Sequence, residues 1–190
     1  TERIVKTVRS LGFDTVLGLK LFNTDYTFGR EPEAIGNACN QALRDGMDAE
    51  LLQEMQGYTG CMAVFDTGRP GPVTAFRFDI DCVAVEEEKT DNNEAWAQGF
   101  TSEVCGLMHA CGHDGHTAVG LTLARWIHDH ADSLCGRIKL IFQPAEEGVR
   151  GANAIAASGV LDDVNTIVGS HCGGVPKLHE VGILRKGVLA

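Results

Sequence analysis

Arg137-Ile138-Lys139-Leu140-Ile141-Phe142 is the run on which the fold turns. It is short, rich in β-branched and aromatic residues, and closed by Gln143-Pro144, so it reads as a strand. Residues 151–158 then read as a short helix and residues 164–169 as another strand. Strand, helix, strand in that order signals a parallel pairing through a crossover. Upstream, Cys61-Met62-Ala63-Val64-Phe65 and residues 73–80 read as two more strands. The Asp66-Thr67-Gly68-Arg69-Pro70-Gly71-Pro72 segment between them is most simply the loop of a hairpin. Hairpin and crossover together imply an α/β fold, with a mixed, mainly parallel sheet flanked by helices.

Outward from this centre, Ile4, Val5, Val8 and Leu11 share one helical face, and Gly12 ends that run. Thr15-Val16-Leu17-Gly18-Leu19 reads as a short strand. Between residues 31 and 55, Ile35, Ala38, Cys39, Ala42, Leu43, Leu51, Leu52 and Met55 keep helical spacing. Gly46 divides this stretch into two helices, and Asp48 is placed to cap the second. Residues 85–100 are polar and irregular. Val119, Leu123, Trp126, Ile127 and Ala131 mark a helix over residues 115–134.

Composition narrows the function. The 190 residues are 44% apolar and 22% charged, as in an ordinary soluble globular protein. A net charge of −10 argues against nucleic acid and anionic membranes as partners. Seven cysteines at irregular spacing, in a chain too large to need stapling, favour free thiols and a reducing, cytoplasmic compartment. No apolar run approaches the length of a membrane span, and the first residues lack a signal-peptide profile.

The chemistry concentrates in His109-Ala110-Cys111-Gly112-His113-Asp114-Gly115-His116, which holds one thiol and three imidazoles in eight residues. In open α/β sheets, binding groups collect beyond the carboxyl ends of the strands. Asp79 and Asp81 lie at one such end, Glu146 and Glu147 follow a second, and His171 follows a third. Thiolate, imidazole and carboxylate together suit a borderline divalent ion. Cys111 and His113 can both face a metal because Gly112 permits a tight backbone path. Adjacent glutamates invite a division of labour, one binding metal and the other taking a proton. His109 and His116 read as hydrogen-bonding groups at a helix start, His128 and His130 as solvated, and Cys172 as packing. A nucleophile–base pair of Cys111 with His109 or His113 is a different chemistry, but it leaves Glu146, Glu147 and His171 without a role.

The run from His109 to Thr117, with Phe142-Gln143-Pro144-Ala145-Glu146-Glu147-Gly148, resembles the M20 metallopeptidase family, in its amidohydrolase branch. Thr67-Gly68-Arg69-Pro70-Gly71-Pro72 and Asp79-Ile80-Asp81 are similar to it as well. Phe78-Asp79-Ile80-Asp81-Cys82 and the insertion before Gly60 look like the hydrolases of p-aminobenzoyl-glutamate within that branch. The resemblance implies two divalent metal ions, manganese or zinc. Cys111 would bridge them, His113 and His171 would complete one site, and Glu147 would bind the other. Glu146 would be the general base and Asp81 a supporting catalytic group beside the metals. The implied reaction is hydrolysis of the amide of an N-acyl amino acid by metal-activated water.

Members of the family are about twice this length and commonly dimeric, with a second subunit in some. Residues 1–182 would be the N-terminal part of the catalytic domain, and residues 183–190 the start of a smaller lid and dimerisation domain. A further metal-binding histidine and an oxyanion-stabilising histidine would lie in parts of the family pattern that these residues do not include. Two other readings stand beside catalysis. The chain could bind metal through Cys111, His113 and His171 without turnover, or it could be a non-catalytic partner of a second chain.

Overall fold

A computed structural model of the chain describes residues 1–172 and residue 182. The domain boundary expected at residue 183 lies outside the described residues. Five strands form one sheet: β1 (Asp14–Val16), β2 (Cys61–Asp66), β3 (Val73–Asp79), β4 (Arg137–Gln143) and β5 (Thr166–Gly169), in the order β1-β2-β4-β3-β5. β3 pairs in parallel with β4 and with β5, whereas β2 is antiparallel to both β1 and β4. Four strands therefore run one way and β2 alone runs against them, which is the mixed, mainly parallel sheet expected. The helices are α1 (Glu2–Ser10), α2 (Pro32–Arg44), α3 (Ala49–Met55), α4 (Glu94–Ala97), α5 (His113–Asp129) and α6 (Gly151–Ala156).

The expected hairpin does not form, because β4 enters between β2 and β3. The 67–72 connection spends its backbone groups on the start of β4 instead of closing on itself. Thr67 N donates to Gly136 O at 3.1 Å, Gly136 N to Arg69 O at 2.9 Å, and Arg137 N to Pro72 O at 3.1 Å. Pro70 and Pro72 have no N–H with which to tie a tight turn. Gly136 has φ +77°, and a Cβ there would lie 2.0 Å from Pro72 O, so only glycine allows the crossing. The side-chain pattern of β4 favours the central place. Ile138, Leu140 and Phe142 are buried on the face covered by α1 and α5, and Ile141 on the face covered by α6. Each such side chain contributes about 1.5–3 kcal/mol when buried, which an edge position would forfeit in part. Lys139 shares the second face and is buried, with its ammonium donating to Val160 O at 2.6 Å and paired with Asp163.

Elsewhere the periodicities hold with shifted ends. Ile4, Val5 and Val8 bury one face of α1. α2 and α3 are separate helices, and the Asp48 carboxylate caps α3 by accepting from Glu50 N at 3.0 Å and Leu51 N at 3.2 Å. β1 is cut short by a 3-10 turn at Gly18–Lys20. The long helix α5 begins at His113, two residues before its expected start, and ends at Asp129, with a 3-10 turn at Ala131–Ser133 taking up the remainder.

α5 lies close to the sheet because Gly120 faces it. A Cβ at Gly120 would sit 2.7 Å from the Phe142 ring and 2.8 Å from the Phe78 ring, whereas at Gly115 it would meet nothing within 4 Å. Both changes to alanine gain helix propensity of about 1 kcal/mol, but at Gly120 overpacking costs about 1–3 kcal/mol. Gly115→Ala is therefore expected to raise the urea midpoint and Gly120→Ala to lower it. Equal shifts of the same sign would contradict this packing.

Candidate metal centre

Three neighbouring parallel strands end at one level. Asp79 of β3 stands beside Gln143 of β4, and Arg77 beside Gly169 of β5. The segments that follow carry Asp81, Glu146 with Glu147, and His171 to the same edge, and the start of α5 faces them with Cys111 and His113. Ligand-capable atoms of Cys111, His113 and His171 lie within 4.8 Å of one another, as do those of His113, Glu146 and Glu147. His113 belongs to both groups. All six residues singled out from the sequence are thus brought to one place.

His113 is 1% exposed in its side chain. Its Nδ1 lies 3.0 Å from Asp81 O and 3.2 Å from Asp81 Oδ1. A backbone carbonyl can only accept, so Nδ1 carries a proton, and in the neutral ring Nε2 is left with a bare lone pair. That Nε2 is buried without a hydrogen-bond partner among the described residues and faces Glu146 Oε2 at 3.7 Å and Glu147 Oε1 at 3.9 Å. A lone pair aimed at two carboxylates is unfavourable unless a cation stands among them, and buried polar atoms rarely go unpaired. The donor set and this orphaned nitrogen both fit a divalent ion.

Asp81 ties the parts together. Its carbonyl also receives His109 Nδ1 at 3.0 Å, and its Oδ2 accepts from Glu147 N at 3.0 Å. The turn bearing the glutamates is strained: Ala145 at φ 57° and Val149 at φ 52° bracket it. Non-glycine residues there cost about 1–3 kcal/mol each and occur where the surroundings impose them. Val149 N donates to Glu146 O at 2.7 Å and Arg150 N to Ala145 O at 3.2 Å, closing the turn. Gly112, at φ +77°, leads into α5, and a Cβ there would meet Cys172 Sγ at 2.6 Å. It thus lets Cys111 and His113 share the site while the β5 loop packs against it.

The Cys111 thiol lies 3.4 Å from His171 Nε2. Its pKa is pushed up by burial, then by Glu147 and the neighbouring acidic groups. A cysteine nucleophile needs the opposite, an electropositive setting that lowers the thiol pKa. The crowd of acids around it suits a thiolate neutralised by a metal.

The sequence reading placed Asp79 at this edge and His116 as a hydrogen bonder, but it missed their partners and the part played by Arg77. His116, read as a helix-start hydrogen bonder, is buried behind His113 with ring centroids 5.1 Å apart. Its Nε2 accepts from Cys172 N at 2.8 Å, and its Nδ1 faces Asp79 Oδ2 at 3.6 Å. Burial lowers the His116 pKa, and the neighbouring His171 and His113 rings lower it further. Asp79 is fully buried and paired with Arg77, which also donates to Gln143 Oε1 at 2.9 Å. Burial raises the Asp79 pKa and the Arg77 guanidinium opposes it. The available signals were the three-residue step from His113 to His116 on one helix face and the two-residue step from Arg77 to Asp79 on one strand face. His128, read as solvated, is exposed but also turns its Nδ1 to Leu11 O at 3.0 Å.

The chain is similar to proteins of known structure and name. A solved structure described as an aminobenzoyl-glutamate utilization protein from Klebsiella pneumoniae superimposes with a TM-score of 0.71 at 37% identity, over 90% of this chain and 38% of that one. The YXEP protein of Bacillus subtilis, described as a dinuclear metal binding peptidase from the M20 family, gives a TM-score of 0.54 at 31% identity, over 89% of this chain and 42% of that one. A p-aminobenzoyl-glutamate hydrolase homolog of Haemophilus influenzae, named as one subunit of that enzyme, is 45% identical over 172 residues, which are 90% of this chain and 41% of that protein. The chain thus spans about two fifths of the length of these relatives. The sequence profile of Peptidase family M20/M25/M40 matches residues 75–184, more than half of the chain and the whole of the candidate centre as far as His171. This chain belongs to that hydrolase family.

Proposed function

We propose that the chain is the N-terminal part of a metal-dependent amidohydrolase that cleaves N-acyl amino acids, with p-aminobenzoyl-glutamate, for which two of its relatives are named, as the substrate. The observation that carries this reading is the bare, buried Nε2 of His113 aimed at Glu146 and Glu147. Two divalent ions, manganese or zinc, bound among Cys111, His113, Glu147 and His171, would activate water and polarise the scissile carbonyl. Cys111, whose thiol lies 3.4 Å from His171 Nε2 and also feels Glu147, would be the ligand shared by the two ions.

The chain's own residues divide the remaining work. Glu146 is half-exposed, within reach of the metal side of His113 and free of the backbone bond that holds Glu147. It is the general base: it takes a proton from the attacking water and returns it to the leaving amine nitrogen. Asp81 holds the Nδ1 tautomer of His113 and fixes the Glu147 backbone, so it supports the reaction without touching substrate. The acyl group and the amino-acid carboxylates need contacts beyond the described residues. Residues 1–182 form the catalytic part in this reading, and residues 183–190 begin a lid and dimerisation domain. A second, different chain completes the enzyme, since two relatives are themselves named as one subunit of their hydrolases. All seven cysteines are unpaired and no helix among the described residues is long and apolar enough to cross a membrane. The unpaired thiols suit a reducing compartment, and on that ground the proposal places the protein in the cytoplasm.

Glu146→Gln in the intact protein is expected to leave bound metal unchanged and lower the rate of p-aminobenzoate release by about 10²–10⁴-fold. Undiminished turnover would remove Glu146 from the role of base. Cys111→Ala should lower metal content, read by elemental analysis after dialysis; full occupancy of both ions would exclude a bridging thiolate.

The substrate is tested separately, by kcat/KM on a panel of p-aminobenzoyl-glutamate, indole-3-acetyl-aspartate and hippurate. The first should lead. A preference for either of the others would keep the amidohydrolase and reassign its acyl or amino-acid specificity.

A further inference from the structure

Resting on the metal-centre reading, we infer that Asp79 and His116 form a buried tautomer lock that positions the His171 loop, making both of them positioning residues for the metal site. The need for such a device follows from β5. Its four residues are all exposed, at the sheet edge, so packing does little to fix the segment that carries His171. Among the described residues, His171 makes polar contacts only with its own neighbourhood and the Cys111 thiol: Nδ1 lies 2.7 Å from Cys172 O and Nε2 3.4 Å from Cys111 Sγ.

The anchor is the next peptide. Cys172 N donates to His116 Nε2 at 2.8 Å. A nitrogen that accepts carries no proton, so the proton of the neutral ring is on Nδ1. Asp79 Oδ2 and His116 Nδ1 are both buried, both without a hydrogen-bond partner among the described residues, and face each other at 3.6 Å. A carboxylate there stabilises the Nδ1–H form and disfavours the other. Arg77 pins the second oxygen of Asp79 and is itself held by Gln143 on the neighbouring strand. The sheet thereby fixes Asp79, Asp79 fixes the proton on His116, and His116 fixes the amide beside a metal ligand. Although Asp79, His113 and His116 lie close enough to hold an ion themselves, the Arg77 guanidinium on the same carboxylate disfavours another cation there.

The chemistry gives a specific failure mode. In Asp79→Asn the amide oxygen stays with the Arg77 donor and the NH₂ turns to His116 Nδ1. Two donors then face each other, the ring proton moves from Nδ1 to Nε2, and Nε2–H meets the Cys172 N–H. Shape is preserved and the Cys172 hydrogen bond is lost.

The test is long-range ¹H–¹⁵N NMR of the chain, with the His116 signals assigned by their absence in His116→Gln. Wild type should show His116 protonated on Nδ1 whether or not zinc is present; an Nε2–H ring would overturn the lock without any variant. Asp79→Asn should show the Nε2–H form and bind zinc about 10–100-fold more weakly. His116→Gln, which can offer a carbonyl oxygen where Nε2 stood, should retain more affinity than His116→Leu. Zinc affinity in Asp79→Asn within twofold of wild type, or equal losses in the two His116 variants, would remove the positioning role. The thiolate-to-cobalt charge-transfer band of the cobalt-loaded wild type tests the underlying metal reading by itself. Its absence would sink that reading, while the tautomer result would still decide the lock.

Discussion

The candidate centre depends on β4 lying between β2 and β3. With β4 in the middle of the parallel set, the strand ends after Asp79 and Gln143 come out side by side, and the β5 end one strand further on. A hairpin of β2 on β3 would have put an antiparallel neighbour beside Asp79 and moved Glu146 and Glu147 away from His113. The energetic reason for the central place is burial of Ile138, Leu140, Ile141 and Phe142 on two faces. The geometric means is the contact of the 67–72 loop with Gly136, where no side chain fits. The candidate edge is in this sense a consequence of apolar packing and of one glycine at the opposite end of the strands.

At that edge electrostatics decides what the arrangement is for. Two glutamates, two aspartates and a thiol converge on three imidazoles, of which two, His113 and His116, each present a nitrogen unpaired among the described residues. Left to themselves these groups repel; burial first, and the neighbouring acids after it, raise the Cys111 thiol and the Asp79 carboxyl, the latter against the pull of Arg77. Among the described residues of the centre, Asp79 alone has a basic side chain beside it, Arg77. For Cys111, Glu146 and Glu147 the described residues supply no comparable cation, so an ion from solution is the simplest source of balance. The same asymmetry separates the two aspartates: the one paired with Arg77 is scaffold, and the one without faces the ligands.

How much of this was legible in the sequence depended on distance along the chain. Cys111, Gly112, His113, Glu146, Glu147 and His171 could be picked out because metal chemistry restricts residue type and local spacing. Helix positions were legible where periodicity was strong, as for Val5 and Val8, and the Asp48 cap was visible in its residue type. The strand pairing was not. Nothing in Cys61–Asp66 or Val73–Asp79 announces that a third strand, some sixty residues on in sequence, will come between them. His116 was undervalued for a related reason: its partners, Asp79 and the Cys172 amide, come from a strand and a loop far away, and a single imidazole carries no local mark of them. The strained φ values at Ala145 and Val149 are likewise imposed by the turn between β4 and α6 rather than encoded by residue type.

The two loops that carry ligands are held in the same way. Glu147 donates its backbone N–H to the Asp81 carboxylate, and Cys172, next to His171, donates its N–H to His116, which Asp79 backs. Both anchors lead to the end of β3, one directly and one through α5. Cys111 and His113 lead into a helix packed on Phe78 and Phe142 through Gly120, and His113 is tied to the same segment by its Nδ1, 3.0 Å from Asp81 O. A change at the end of β3 would therefore disturb the candidate ligands of the β4 and β5 loops together with His113. The end of β3 holds the loops to the helix, and Arg77-Phe78-Asp79-Ile80-Asp81 is the segment on which the geometry of the centre converges.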